Sequence, residues 1–345
     1  MGEVKNMNTN GIVDILNALP TSKLISTVSA GIGKLYEPTH IKRIAKAKAE
    51  EIKLISGAME ECSVIPTQYN DGSLTLNNTD WDDFVRRTQG RMAFQELQKQ
   101  NNIECVVANA YNILEKEQTC SEEPVEQGWI NRFFDSVATV SDEDLQQLWG
   151  KVLAGEIKQP KSYSLRTLET LKNLSKHEAE LFEKVATLAT RMHSNLFLTS
   201  ETEILRRYEI SYDAILCLDE CGLINSDGMV SYNPKISIND SVAIFSKSKL
   251  LLLKGTSERP TKISIGIFGL TQAGKELYSI LECDSNESYL CDFAEEIEKN
   301  NKGNVSITLH QIHTYDGENI RYNTLALREF PPRKDEEKEQ SNDQL

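Results

Sequence analysis

No apolar run in the 345 residues approaches the ~18–20 that a membrane-spanning helix needs, so no such helix is expected. Aromatic residues are sparse at 7%, and histidine, the residue most often used as a general base or metal ligand, occurs five times. Basic residues are outnumbered, 38 Lys+Arg against 52 Asp+Glu. The resulting net charge of -14 argues against a protein whose whole surface grips nucleic acid, leaving only a local basic patch open. The N-terminus lacks a basic-then-apolar leader, so the seven cysteines, an odd number, are expected as reduced thiols in a cytoplasm. What is present is an ordinary globular balance, 39% hydrophobic and 26% charged, with length for about two domains of ~150 residues each.

The pattern along the chain predicts a mostly α protein: a helical N-terminal arm and a helical bundle, followed by a winged-helix-like α+β C-terminal domain. Residues 1–62 read as an amphipathic, coiled-coil-like arm. Between Gly11 and Tyr36 only Asp14, Lys23 and Lys34 carry charge, and Pro20 separates two short apolar stripes, the second being Leu24, Ile25, Val28 and Ile32. Beyond Pro38, Ile41, Ala45, Lys48, Ile52, Ile55 and Met59 follow one another at four, three, four, three and four, the spacing of an interaction seam. Lys42, Arg43, Lys46 and Lys48 form a basic patch at its start. An apolar stripe beside cations suits association with another helix, or docking at an anionic membrane surface.

Residues 63–78 read as a loop insertion with a small hairpin around Asp71-Gly72. Helices fill 79–198. Thr79 with Asp82 can cap the first; Ile103, Val106, Val107, Ala110 and Leu114 form its core stripe. Trp129, Phe133, Phe134 and Val137 form a second stripe. Ser141 is expected to cap a third helix with Asp144, to bury Trp149 beside Leu145, Leu148, Val152 and Leu153, and to stop at Gly155 and Pro160. Ser175 with Glu178 caps another. In residues 199–330, two short helices, Gly222-Leu-Ile and a hairpin across Asp227-Gly228 have the order of a winged helix-turn-helix; later strands and two helices follow, then a hairpin across Asp316-Gly317. Residues 331–345 read as a charged, disordered tail.

No catalytic constellation emerges, and no cofactor, metal or small-molecule substrate is expected. Gly269-Leu-Thr-Gln-Ala-Gly274-Lys275-Glu276 has phosphate-loop spacing, but Glu276 stands where a hydroxyl would hold Mg²⁺; a turn capped by Thr271 explains it. His310 and His313 fall on opposite faces of a strand. Cys217 and Cys221 share a helix face but need two more ligands for a zinc site, so buried free thiols are the simpler expectation. Glu51-Ile-Lys53 and Glu156-Ile-Lys158 read as helix-surface charge. The would-be recognition helix from Tyr212 has three acids and no base, which suits a protein contact better than DNA.

Two stretches carry a family resemblance: Gly33–Glu50, and Trp129-Ile-Asn-Arg-Phe-Phe through Leu145-Gln-Gln-Leu-Trp149-Gly-Lys-Val-Leu153-Ala-Gly155, continuing to Phe182. They resemble a bacterial family defined only as a domain of unknown function, over most of residues 29–282. The Leu-Gln-x-Leu-Trp core, with Trp129, Phe133, Phe134, Leu145, Leu148, Trp149, Leu153 and Gly155, is similar to that of abortive-infection alpha proteins of phage defence. The family's Pro-Gly reads Pro160-Lys161 here. The resemblance implies a defence-associated, non-enzymatic role and brings no catalytic residue. The expected partners are a second copy or another protein in the cytoplasm, with the inner membrane face as a further candidate surface. The alternatives are a winged-helix DNA-binding regulator and a nucleotide-dependent enzyme.

Overall fold

The computed structural model describes residues 20–32, 69–70, 73–74, 78–227, 230–315 and 319–332. The Ile41–Met59 seam, the basic patch, Glu51-Ile-Lys53 and the tail from 333 lie outside these residues. The chain divides into two compact units, 1–172 and 173–345.

The first unit is helical. Pro20 opens α1 (Pro20–Ile32) rather than breaking it: at the first helical position its missing N–H costs nothing. Leu24 and Val28 of α1 are fully buried. A small hairpin, β1 (Tyr69–Asn70) with β2 (Ser73–Leu74), pairs across residues 71–72 as expected. Next come α2 (Asn78–Leu114), α3 (Gln127–Val137), α4 (Glu143–Lys158) and most of α5 (Leu165–Asn173). The capping box at Thr79 and Asp82 falls on side chains outside the described set. Every residue of the Ile103–Leu114 and Trp129–Val137 stripes is buried. The cap of α4 is Asp142, not Ser141: its carboxylate accepts from the amides of Asp144 (3.0 Å) and Leu145 (3.1 Å), a stronger cap than a hydroxyl one residue earlier. Nor does Gly155 stop the helix. It lies inside α4, where a Cβ would sit 2.5 Å from the Tyr163 hydroxyl, so glycine serves close approach of Tyr163 rather than a helix end.

The second unit overturns the expected mostly helical fold with a winged-helix domain. It is built on a 10-stranded antiparallel sheet. After α6 (Lys176–Ala186) come β3 (Thr190–Met192), β4 (Asn195–Thr199), α7 (Thr202–Arg207), α8 (Tyr212–Glu220), β5 (Ile224–Asn225) and β6 (Ser231–Tyr232). There follow β7 (Lys235–Ile236), β8 (Ser241–Phe245), β9 (Lys249–Gly255), β10 (Thr261–Lys262), β11 (Ile265–Leu270), α9 (Gln272–Ile280) and α10 (Glu287–Asn300). The last strands are β12 (Val305–Tyr315), β13 (Ile320–Tyr322) and β14 (Arg328–Phe330). The main order is β13-β12-β9-β8-β3-β4-β11-β5, with β14 also on β12 and β6 on β11; β7 and β10 pair separately.

The expected wing fails for a specific reason. β5 and β6 do not pair with each other: Ile224 faces Leu270 and Tyr232 faces Ile265, so both lie along the longer apolar β11. The β3–β4 hairpin replaces the end of the helical region expected over 79–198. Its turn is His193-Ser194, with His193 at φ 56°, so no glycine marks it. β12 alternates its burial, with Val305, Ile307 and Leu309 at 0% exposure. α10 buries Tyr289, Leu290, Phe293, Ala294 and Ile297. Tyr289 joins α10 to the sheet, its hydroxyl accepting from the Thr199 amide at 2.9 Å.

Candidate functional site

The family-motif residues assemble in the first unit. Trp129 stacks on Phe133 with ring centroids 5.1 Å apart, and Phe133 meets Trp149 edge-on at 5.4 Å. Trp129 Nε1 donates to the Tyr163 carbonyl at 2.8 Å. Trp149 is fully buried, as its spacing predicts, and its Nε1 has no hydrogen-bond partner among the described residues. Leu145 and Leu148 are only half-buried, on the flank of this core.

Glu156 is not surface charge. It is buried, and its carboxylate accepts from the amides of Lys161 (2.6 Å) and Tyr163 (3.0 Å), tying the turn after α4 back to the helix. Lys161 takes the left-handed conformation, φ 71°, within that turn. Lys158, two residues later, is exposed and paired with Glu117. The Glu-Ile-Lys spacing looks like an exposed helical face; the acceptor role arises only from a turn that doubles back, which spacing does not encode.

An open cleft of about 650 Å³ lies beside α1, lined by Lys23, Ser26 and Thr27 together with Ser121, Pro124 and Gln127. At its side Lys23 is buried and donates to the carbonyls of Ser121 (2.7 Å) and Glu123 (2.5 Å). Burial pulls the Lys23 ammonium below its ordinary pKa, against the opposing pull of Cys120, Glu123 and Glu156. Both carbonyls hold the ammonium, so this lysine clamps α1 to the 121–123 segment rather than presenting a nucleophile.

In the second unit the Gly269–Glu276 turn is closed upon itself. The Gly274 amide, which a phosphate loop would offer to a ligand, donates to Thr271 Oγ1 at 3.1 Å. Lys275 Nζ reaches Asn195 Oδ1 at 3.2 Å, and Gln272 reaches Glu276 at 2.8 Å. Two neighbouring substitutions should therefore differ sharply. Lys275→Ala should change stability by no more than about 0.5 kcal/mol, with ATP leaving the melting temperature of either form unmoved. Gly274→Ala would place a Cβ 2.1 Å from the Leu223 carbonyl oxygen and should cost about 1–3 kcal/mol, read as a shift in the urea midpoint.

His310 is buried with Nδ1 on the Asn323 carbonyl and Nε2 on Thr308, both at 2.8 Å, while His313 is exposed on the other face. Six described cysteines are free; only Cys291 is buried, the others being half-buried rather than core thiols. Cys217 and Cys221 do share a face of α8 and its cap, and Glu178 of α6 meets them there. Sequence spacing could not supply that third group, since it comes from another helix.

No curated protein and no solved structure matches the chain. A family model described as protein of unknown function (DUF2806) matches residues 86–294, a span that takes in the Trp129–Gly155 motif and the Cys217–Cys221 helix. Nothing in that match links the chain to abortive infection. With more than half of its residues inside the match, the chain belongs to this family of unknown function.

Proposed function

We propose that this protein works by association rather than by chemistry, as a non-enzymatic, defence-associated protein of the abortive-infection type whose partner is a second copy of itself. One observation supports the association most directly. α2 is 37 residues long, about 55 Å, and from Asp83 to Asn102 none of its residues is buried; burial begins only at Ile103. On the uncovered part Phe84, Met92 and Leu97 are 42%, 56% and 39% exposed. Helices gain most of their stability from packing an apolar face, and Gly90 within this stretch lowers its intrinsic propensity further. Such a stretch calls for a partner surface. The Ile41–Met59 seam has the length and apolar spacing to provide it from a second copy.

The alternatives find less support. Arg206 and Arg207, the basic residues just before α8 in the sequence, are engaged by Glu203 (2.7 Å) and Asp292 (3.2 Å), and α8 itself adds Asp213, Asp219 and Glu220. A phosphate backbone would meet that acidic face with repulsion. The internally bonded Gly269–Glu276 turn offers no free cradle to a nucleotide.

The test is solution mass. The wild-type protein should be a dimer or larger at micromolar concentration, and Met92→Glu combined with Leu97→Glu should shift it toward monomer by at least tenfold in dissociation constant, about 1.4 kcal/mol. A wild-type monomer, or an assembly indifferent to both charges, sinks the reading. Co-sedimentation with anionic vesicles would show instead a membrane partner. The defence role is tested by infecting cells with and without the gene while scoring plaque number and cell survival; fewer plaques at the expense of infected cells is the expected result.

A further inference from the structure

One oxygen of Glu178 and the sulfurs of Cys217 and Cys221 all lie within 4.8 Å of one another. Each is held by local structure. Glu178 is the reciprocal residue of the capping box that starts α6: its Oε2 accepts from the Ser175 amide at 2.6 Å while Ser175 accepts from the Glu178 amide. Cys217 and Cys221 are one turn apart, and the Cys221 amide donates to the Cys217 carbonyl at 3.0 Å. Ser211 caps the start of α8. All three residues are half-buried, so an ion can reach them without the fold opening.

We propose that Glu178, Cys217 and Cys221 form a binding site for a soft, thiophilic divalent cation of the zinc type, with three protein ligands and one coordination position left to solvent or an incoming ligand. Two thiolates select a soft metal, and a carboxylate completes three corners of a tetrahedron. On binding, two metal–sulfur bonds and one metal–oxygen bond replace metal–water bonds of the hydrated ion, whose waters are released, while the two S–H bonds break and their protons pass to solvent. The inference stands apart from the association reading, since all three ligands belong to one unit of one chain.

Cobalt(II) is a suitable probe because tetrahedral cobalt–thiolate sites absorb strongly. The full-length protein, kept reduced with a phosphine, should develop sulfur-to-cobalt charge-transfer absorption at one equivalent, and zinc should abolish it. The band should survive in Cys283→Ser, disappear in Cys217→Ser and in Cys221→Ser, and weaken in Glu178→Gln. Far-UV circular dichroism identifies any variant that fails to fold. The wild-type arm does not depend on the variants: no band under excess cobalt overturns the proposal, as does an undiminished band in Cys217→Ser.

Discussion

Trp149→Ala should lower the stability of the helical unit by about 3–5 kcal/mol, the largest loss expected of any single substitution in the chain. The indole is fully buried, meets Phe133 edge-on at 5.4 Å, and lies on the face of α4 that also buries Val152 and Leu153. Truncation opens a cavity that surrounding helices cannot close without moving Phe133, itself stacked on Trp129. Trp149→Phe should cost under about 2 kcal/mol, because it keeps a ring at the site and removes an indole N–H that has no acceptor among the described residues. Urea unfolding followed by far-UV circular dichroism separates the two; equal midpoints for Trp149→Ala and wild type would refute the packing argument.

Glu156→Ala should be the second most damaging change, at about 2–4 kcal/mol, since hydrogen bonds to a charged acceptor contribute roughly 1.5–3 kcal/mol each. Two backbone donors, at Lys161 and Tyr163, lose their acceptor together. Glu156→Gln should recover little of this. The two amides use separate carboxylate oxygens, so the carboxamide NH₂ would confront one of them donor to donor. The same turn supplies the carbonyl that receives Trp129 Nε1, so Glu156→Ala and Trp129→Phe should be non-additive in a double-mutant cycle. Additivity within about 0.3 kcal/mol would separate the turn from the aromatic core.

Most features that depend on one helical turn were legible in the sequence, the cap of α4 at Asp142 rather than Ser141 and the run of α4 through Gly155 being the exceptions. The Ser175–Glu178 box, the Thr271 cap and the aromatic stripe of α3 all stand where periodicity places them. Features that depend on a distant strand were not. β5 and β6 look like two arms of one hairpin, yet the six-residue β11, more than thirty positions later, offers each a better ladder. β3 and β4 are short, and a histidine at positive φ hides their turn. The site residues follow the same division. Trp149 is found by its spacing, whereas the inward role of Glu156, the clamp at Lys23 and the meeting of Glu178 with two cysteines each need a contact between separate elements.

The position of β9 carries a consequence for how this protein is made. Its Leu250, Leu251, Leu252 and Leu253 lie between β8, which precedes it in the chain, and β12, which pairs with it from Gln311↔Lys249 to Val305↔Gly255. On the ribosome β8 and β9 can zip together early, but residues 256–304 must be synthesised before β12 begins to emerge. At ~5–20 residues per second that is roughly 2–10 s during which a leucine-rich strand keeps one hydrogen-bonding edge open. A nascent chain stalled in that interval, or a message truncated before residue 305, would release a molecule able to pair edge to edge with its siblings. Such products should be recovered as aggregates or bound to chaperones, whereas chains that complete β12 cover the edge from within.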